Sequence, residues 1–401
     1  VKTMRQLFET FYQLIERTST DFTRYLYHEI HWESRLIAIT GARGTGKTTL
    51  MLQYIKEHYT PYSNEVLYVS LDNIWFTTHS LLDLADYFHK MGGNTLFLDE
   101  VHKYPTWSIE IKNIYDSYPD MKVVFTGSSM LEIHKGEADL SRRAVQCHLP
   151  GLSFREFLEL EYAYKTESFS LTDLLTHHVE IAMSIGKALK PLVAFKDYLS
   201  FGYYPFYRED RPLYHEKLLA TLNTILEVDL PATERIDYYS IGRIKKLFAI
   251  LSQLVPCIPN ISALSKELGV TRISLLNYLF YLEKAQALLL LDKQAFGIKQ
   301  LAKPEKIYLG NTNYAYALGG DKTDVGNVRE TFFFNQMRTK HTVTYSTQVD
   351  FIVNDEYSFE IGGKNKTQQQ LAGVEKGYLA LDNIEVGFRN EIPLWLFGLT
   401  Y

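Results

Sequence analysis

Gly41-Ala42-Arg43-Gly44-Thr45-Gly46-Lys47-Thr48 is the stretch that decides how this chain reads. It fits the spacing G-x-x-x-x-G-K-[ST] in full, and a chance match is on the order of one in a hundred for a chain of this length. Glycines at those positions let backbone N–H groups turn inward around a phosphate with no Cβ in the way. The helix that follows adds its positive N-terminus. Lys47 would reach the β- and γ-phosphates and Thr48 would ligate Mg²⁺, with Thr49 closing the binding set. The context is the required one: an apolar strand, Arg35–Thr40, before the loop and a helix, Thr48–His58, after it.

Outward from the loop, strands and helices alternate. Val66–Ser70, Thr95–Leu98, Lys122–Thr126 and Ala144–Leu149 read as strands. Leu81–Lys90, Ser108–Tyr118 and the start at Ser129–His134 read as helices. The pattern implies a parallel sheet covered on both faces. Upstream, Met4–Ile30 reads as one helix, with Leu7, Phe8, Phe11, Leu14 and Ile15 on a stripe. The Thr95–Leu98 strand ends in Asp99-Glu100, where open parallel sheets bind ligands. Asp99 there would join the Mg²⁺ shell and Glu100 would polarise the attacking water as general base. The next strand tip offers Ser128, with Ser129 behind it; Ser128 either bonds the water or γ-phosphate or simply caps a helix. Arg142 and Arg143 precede the fifth strand, as fingers for a neighbouring subunit's phosphate or as solvated surface cations.

Several segments together resemble the AAA-type ATPases that carry an appended winged-helix domain and a C-terminal domain of uncharacterised function. They are GARGTGKTT at Gly41–Thr49, TLFLDEVHKYPTW at Thr95–Trp107, VVFTGSS at Val123–Ser129, LSRRAVQCHLPGLSFREFL at Leu140–Leu158 and FGYYPF at Phe201–Phe206. The resemblance is dense in the first half and looser in the second. It implies the additional-strand sheet order, Ser128 as sensor and an arginine finger at Arg142 or Arg143. It gives no role to Phe201–Phe206.

Past Pro150-Gly151 the pattern turns helical, over Phe154–Tyr164, Leu171–Leu189 and Glu216–Leu230. Asn260–Val270 then reads as a capped helix ending at a glycine turn, and Thr271–Glu283 as a second helix with Ile273, Leu276, Leu279, Phe280 and Leu282 for its core. With Ala287–Leu291 and a return over Phe296–Lys306, this is winged-helix spacing. A DNA-reading face would hold Thr271, Arg272, Ser274 and Asn277, with Lys293, Lys299 and Lys303 on phosphates. The second helix is poor in cations, and phosphate contacts dominate DNA affinity. Packing or protein contact is therefore the reading set ahead of sequence-specific DNA binding.

Short strands return over Thr342–Tyr345, Val349–Val353, Ser358–Ile361 and Leu394–Leu399. Asp350, Glu360 and a following lysine resemble the PD-(D/E)xK nuclease core, with Glu330 as its extra acid, and imply a second metal site at Asp350 and Glu360. Gly362 stands where that core expects its lysine. Lys364 keeps the right face of a strand but lies about 7 Å further along, unless a bulge at Gly362-Gly363 returns it. The expectation is a nuclease-like fold used for binding.

The reading is thus an α/β chain: a P-loop NTPase core over 1–153, a helical lid over 154–235, a winged helix over 236–309 and a restriction-endonuclease-like domain over 310–401. A length of 401 residues requires several cores. Hydrophobic residues at 46% and charged residues at 22% exclude wholesale disorder. A net charge of -5 excludes binding to nucleic acid by bulk charge. Cys147 and Cys257 form no disulfide framework or zinc spacing, no apolar run reaches membrane-spanning length, and the N-terminal stretch has no signal-peptide pattern. A cytoplasmic chain follows, trimmed or partial because it does not start with Met. Its ligands would be ATP and Mg²⁺, its partners DNA or a protein, and a finger acting between chains would require a homo-oligomer. Three functions compete: an ATPase whose nucleotide state moves its C-terminal half, an ATP-regulated nuclease, and a nucleotide-gated switch with little turnover.

Overall fold

A computed structural model describes residues 4–128, 140–234, 236–293 and 302–401. These form two units, one from residues 1–150 with 228–236 and one from 151–227 with 237–401.

The first unit is built on β1 (Leu36–Gly41), β2 (Val66–Ser70), β3 (Thr95–Asp99), β4 (Lys122–Ser128) and β5 (Val145–His148). All pair in parallel, in the order β2-β3-β4-β1-β5. Runs such as Leu36–Ile39 and Leu96–Leu98 are apolar at every position because both faces of the sheet are covered. β4 lies between β1 and β3, so the strand carrying the glycine loop and the strand carrying the acidic pair flank a common neighbour. At the edge, β5 leaves Val145, Gln146 and His148 exposed. Leu81–Lys90 starts at a reciprocal cap between Ser80 and Asp83.

The expected Met4–Ile30 helix is broken. It runs over Met4–Arg17, and only the turn Leu26–Glu29 is helical beyond. Thr18–Thr23 supplies side-chain bonds that compete with the helix: Thr18 Oγ1 donates to the Leu14 carbonyl and Ser19 Oγ to Asp21. The helix expected at Ser129–His134 lies outside the described residues.

In the second unit the helices Phe154–Tyr162, Leu171–Ala188, Pro191–Phe201, Tyr214–Thr224 and Tyr238–Leu254 precede a helix–turn–helix pair, Ile261–Leu268 and Arg272–Lys284. Gly269, at φ 62°, ends the first of the pair, and Thr271 caps the second by accepting from the Ser274 amide. An antiparallel hairpin of β6 (Leu288–Leu291) and β7 (Lys306–Leu309) follows. Ile273 was expected in the core of the second helix; it is 62% exposed, and Leu275, Leu276, Leu279 and Leu282 fill that core.

Helices Thr312–Gly319 and Val325–Met337 lead to a mixed sheet of β8 (Val343–Thr344), β9 (Phe351–Val353), β10 (Tyr357–Gly363), β11 (Gly377–Asp382) and β12 (Glu391–Pro393). Leu394–Leu399, expected as a strand, is a buried 3₁₀ turn. Periodicity does not separate a short, wholly apolar strand from a buried helical turn. The Phe201–Phe206 cluster belongs to the core. Tyr203 and Tyr204 are buried, the Tyr203 amide donates to Asn313 Oδ1, and a Cβ on Gly151 would lie 2.3 Å from the Tyr203 ring.

Candidate functional site: the glycine loop and its acidic strand tip

β1 ends at Gly41, the helix Lys47–His58 begins at Lys47, and the loop between them turns through Gly44 and Gly46 at φ 83° and 96°. Both angles are costly for a side chain with a Cβ. Arg43 and Thr49 are exposed, while Gly41, Ala42, Thr45 and Lys47 are buried. The Thr45 hydroxyl donates to the Ala42 carbonyl at 3.0 Å. From outside the loop, buried Arg24 donates to the carbonyls of Thr45 and Pro150. Nothing in the spacing around Arg24 marked it for this task. Lys47 Nζ bonds the carbonyls of Gly41 and Ala42 at 2.9 and 3.0 Å. Burial lowers the Lys47 pKa, against the pull of the Glu100 and Asp99 charges.

Asp99 collects donors from three elements. Its Oδ2 accepts from Thr48 Oγ1 at 2.6 Å and from the Tyr68 phenol at 2.8 Å; its Oδ1 accepts from Thr126 Oγ1 and from the Glu100 amide at 3.1 Å. Tyr68 lies on β2 and Thr126 on β4, the two neighbours of β3. Burial and the Asp99 charge push the Tyr68 pKa up, so the phenol stays a donor. Sequence reasoning passed over Tyr68 and Thr126; their only signal was a place near the tips of strands flanking β3. The Thr48–Asp99 contact brings a hydroxyl and a carboxylate to one point beside the loop. That donor set fits Mg²⁺, which keeps most of its waters and takes one or two protein oxygens beside substrate phosphates. Among the described residues no group of three or more His, Cys, Asp or Glu forms a closed metal cage.

Glu100 takes a left-handed backbone, φ 53° and ψ 40°, directly past the strand. Such a conformation is uncommon for a residue other than glycine and turns the side chain away from the strand's alternation. Its Oε2 lies 3.3 Å from His102 Nε2. His102 and Lys103 stand on the single turn after Glu100, and Lys103 Nζ bonds Asp229, a contact spanning 126 residues.

Ser128 ends β4 level with Gly41 on β1. Its side chain, and Ser129 altogether, lie outside the described residues. Arg143 bonds Asp116, with Nε–Oδ1 at 3.2 Å, whereas Arg142 is exposed with no ion pair among the described residues.

In the second unit, Asp350 Oδ2 accepts from the Ile361 amide at 2.8 Å on the strand that carries Glu360. The lysine at Glu360 is not Lys364, which is exposed, but Lys366, whose Nζ lies 2.5 Å from Glu360 Oε1. No bulge returns Lys364: β10 keeps an unbroken register with β11 through Gly363. A Cβ on Gly362 would lie 2.6 Å from the Lys366 side chain, so glycine stands there to let Lys366 fold back. Glu360 Oε2 is buried with no hydrogen-bond partner among the described residues. Glu330 is held by Lys306 at 2.7 Å and Tyr308 at 2.9 Å.

On the helix–turn–helix pair, Thr271 and Ser274 are spent on the cap, Asn277 is half-buried, and Arg272 and Lys303 are exposed. Lys293 pairs with Glu305 at 3.3 Å, and Lys299 lies outside the described residues. No helix among the described residues is long and apolar enough to cross a membrane.

Residues 33–158 match a family described as an AAA domain, and residues 193–324 match one described only as a domain of unknown function. No curated protein matches the chain. Among solved structures, similarity extends to the Aeropyrum pernix ORC1 protein in complex with DNA, at 12% identity and a TM-score of 0.32, over 80% of this chain and 94% of that one. It extends also to AMPPCP-bound DnaA from Aquifex aeolicus, at 14% identity and a TM-score of 0.27, over 70% and 88%. A structure titled for katanin self-assembly matches at 15% identity and a TM-score of 0.26, over 43% of this chain and 59% of that one. With the glycine loop, the acidic strand tip and the sheet order in place, the AAA match over residues 33–158 assigns an AAA-type P-loop ATPase domain to this chain.

Proposed function

We propose that this chain binds ATP with Mg²⁺ through Gly41–Thr49 and hydrolyses it, and that its nucleotide state controls a DNA- or protein-binding second half. The contact of Thr48 with Asp99, beside Lys47 and one residue before Glu100, carries the reading. Loop amides and the helix N-terminus hold the triphosphate. Lys47 exchanges its carbonyl bonds for phosphate oxygens, and Thr48 and Asp99 hold Mg²⁺, which neutralises phosphate charge when bound. Glu100 accepts a proton from the attacking water. Ser128 orients that water, and Arg142 of a second copy stabilises the transferring charge, which makes the active form a homo-oligomer. The reading keeps 1–153 as the core, 154–235 as a lid, 236–309 as a winged helix that grips the partner and 310–401 as a nuclease-like domain. In the test, Lys47→Ala abolishes Mg-ATP binding in calorimetry, whereas Glu100→Gln binds ATP but loses about 10²- to 10⁴-fold in turnover. Normal turnover by Glu100→Gln overturns the assignment of the base.

A second reading, an ATP-regulated nuclease, is favoured by Lys366 reaching Glu360 beside Asp350. Here Asp350 and Glu360 would hold a metal and Lys366 would stand in for the lysine missing at Gly362. Supercoiled plasmid should be nicked in Mg²⁺ or Mn²⁺ by the full chain and left intact by Asp350→Ala. If the full chain itself never nicks, this second reading is lost.

A further inference from the structure

Residues 228–236 are part of the first unit although the chain on both sides of them belongs to the second. The segment delivers one carboxylate, Asp229, to the turn that follows Glu100. Its side chain is 3% exposed, as is that of His102. Asp229 bonds Lys103 Nζ, and its Oδ1 lies 3.8 Å from His102 Nε2. The same imidazole nitrogen lies 3.3 Å from Glu100 Oε2. The carboxylates of Glu100 and Asp229 therefore both face one imidazole nitrogen of His102, the nearer of them on the residue assigned as general base.

A buried carboxylate needs partners wherever it sits, and a structural ion pair with Lys103 alone would meet that need. Two features point further. The contacts of Asp229 to His102 and Lys103 fall on the one turn that must hold Glu100 in a left-handed backbone, a conformation that persists only when its surroundings fix it. Burial would raise the Asp229 pKa, yet the neighbouring His102 ring and the bond from Lys103, with the charges of Lys103 and Arg43, bring it down to about 2, so the group is anionic and Arg43 of the glycine loop is within its field. Lys47 in turn feels the Asp229 charge.

We propose that Asp229 is a positioning residue for ATP hydrolysis: it fixes the His102 ring, and His102 fixes the Glu100 carboxylate toward the attacking water. A base displaced by about 1 Å loses on the order of 10²-fold in rate while ground-state binding is untouched. The inference rests on the ATPase reading with Glu100 as base.

The full chain carries the test, with ATP turnover and Mg-ATP affinity measured side by side. Asp229→Asn keeps the shape and removes the charge, and His102→Gln keeps a side-chain amide donor but removes the ring. Each is expected to lower kcat about 10- to 100-fold, with KM and the calorimetric Kd changed less than about twofold. Asp229→Glu should recover part of the loss. The double variant should lose no more than the worse single one, because the two residues act in series. Unchanged kcat in Asp229→Asn overturns the inference, and so does a loss matched by an equal loss of affinity and melting temperature. Wild-type turnover that survives Glu100→Gln defeats the ATPase reading instead, whatever the Asp229 variants do.

Discussion

Asp229 is buried and Asp350 half-buried, and the fold treats the two carboxylates in opposite ways. Burial alone would raise Asp229, but His102 and Lys103 hold it at about 2, below its ordinary value. Its contribution to stability is present above the unfolded value and is lost as pH falls from about 4 toward about 2. Asp350 is pushed up, chiefly by burial and further by Glu360, against the Ile361 amide and the charges of Lys306 and Lys366. Its ionised form therefore costs the fold stability, a cost absent at low pH that grows as pH rises through the folded value. Asp350→Asn can still accept from the Ile361 amide. It should raise the melting temperature at pH 7, by about 2–4 °C for each kcal/mol relieved. Scanning calorimetry should show the gain shrink at pH 4. A lower melting temperature at pH 7 would make Asp350 an ordinary structural carboxylate.

The glycine loop is the element whose chemistry stood most plainly in the sequence, because its spacing is set by backbone contacts with phosphate rather than by packing. Its glycines nevertheless do different work. A Cβ on Gly41 would lie 2.4 Å from the Leu149 carbonyl oxygen, a backbone atom that cannot step aside. Gly46 has open space around it but a φ of 96°. Gly41→Ala should therefore destabilise the first unit by about 1–3 kcal/mol, visible as an earlier melt. Gly46→Ala should melt within a few degrees of wild type and lose Mg-ATP affinity at least tenfold. Equal effects from the two substitutions would contradict the separation. Val66–Ser70 and Leu81–Lys90 were legible for a related reason, since an apolar run or a capped periodic stretch is self-contained. What escaped was set by distant partners: Arg24 on the Thr45 carbonyl, Tyr68 and Thr126 on Asp99, Lys366 on Glu360. None of these pairings leaves a spacing in the sequence. The break after Arg17 was readable in principle, from the Ser-Thr-Asp run that follows it.

At the scale of the whole molecule, the chain passes between the two units three times, after residues 150, 227 and 236. The second and third passages bracket Asp229. A segment tied covalently to one unit at both ends, yet folded with the other and bonded beside Glu100, is where the proposed coupling of nucleotide state to the second half can be tested. Such a segment reports a change only if nucleotide alters its stability. Hydrogen exchange on the full chain reads this directly, using Glu100→Gln to hold Mg-ATP without turnover. Amides of 41–48 should slow on binding, and those of 228–234 should slow with them, while Phe154–Tyr162 in the second unit keeps its rate. Local opening of a short segment costs less than global unfolding, so a bound ligand that stabilises its contacts shows as protection there first. If 228–234 exchange alike with and without nucleotide while 41–48 slow, the segment shares the first unit's fold but carries no signal from its site.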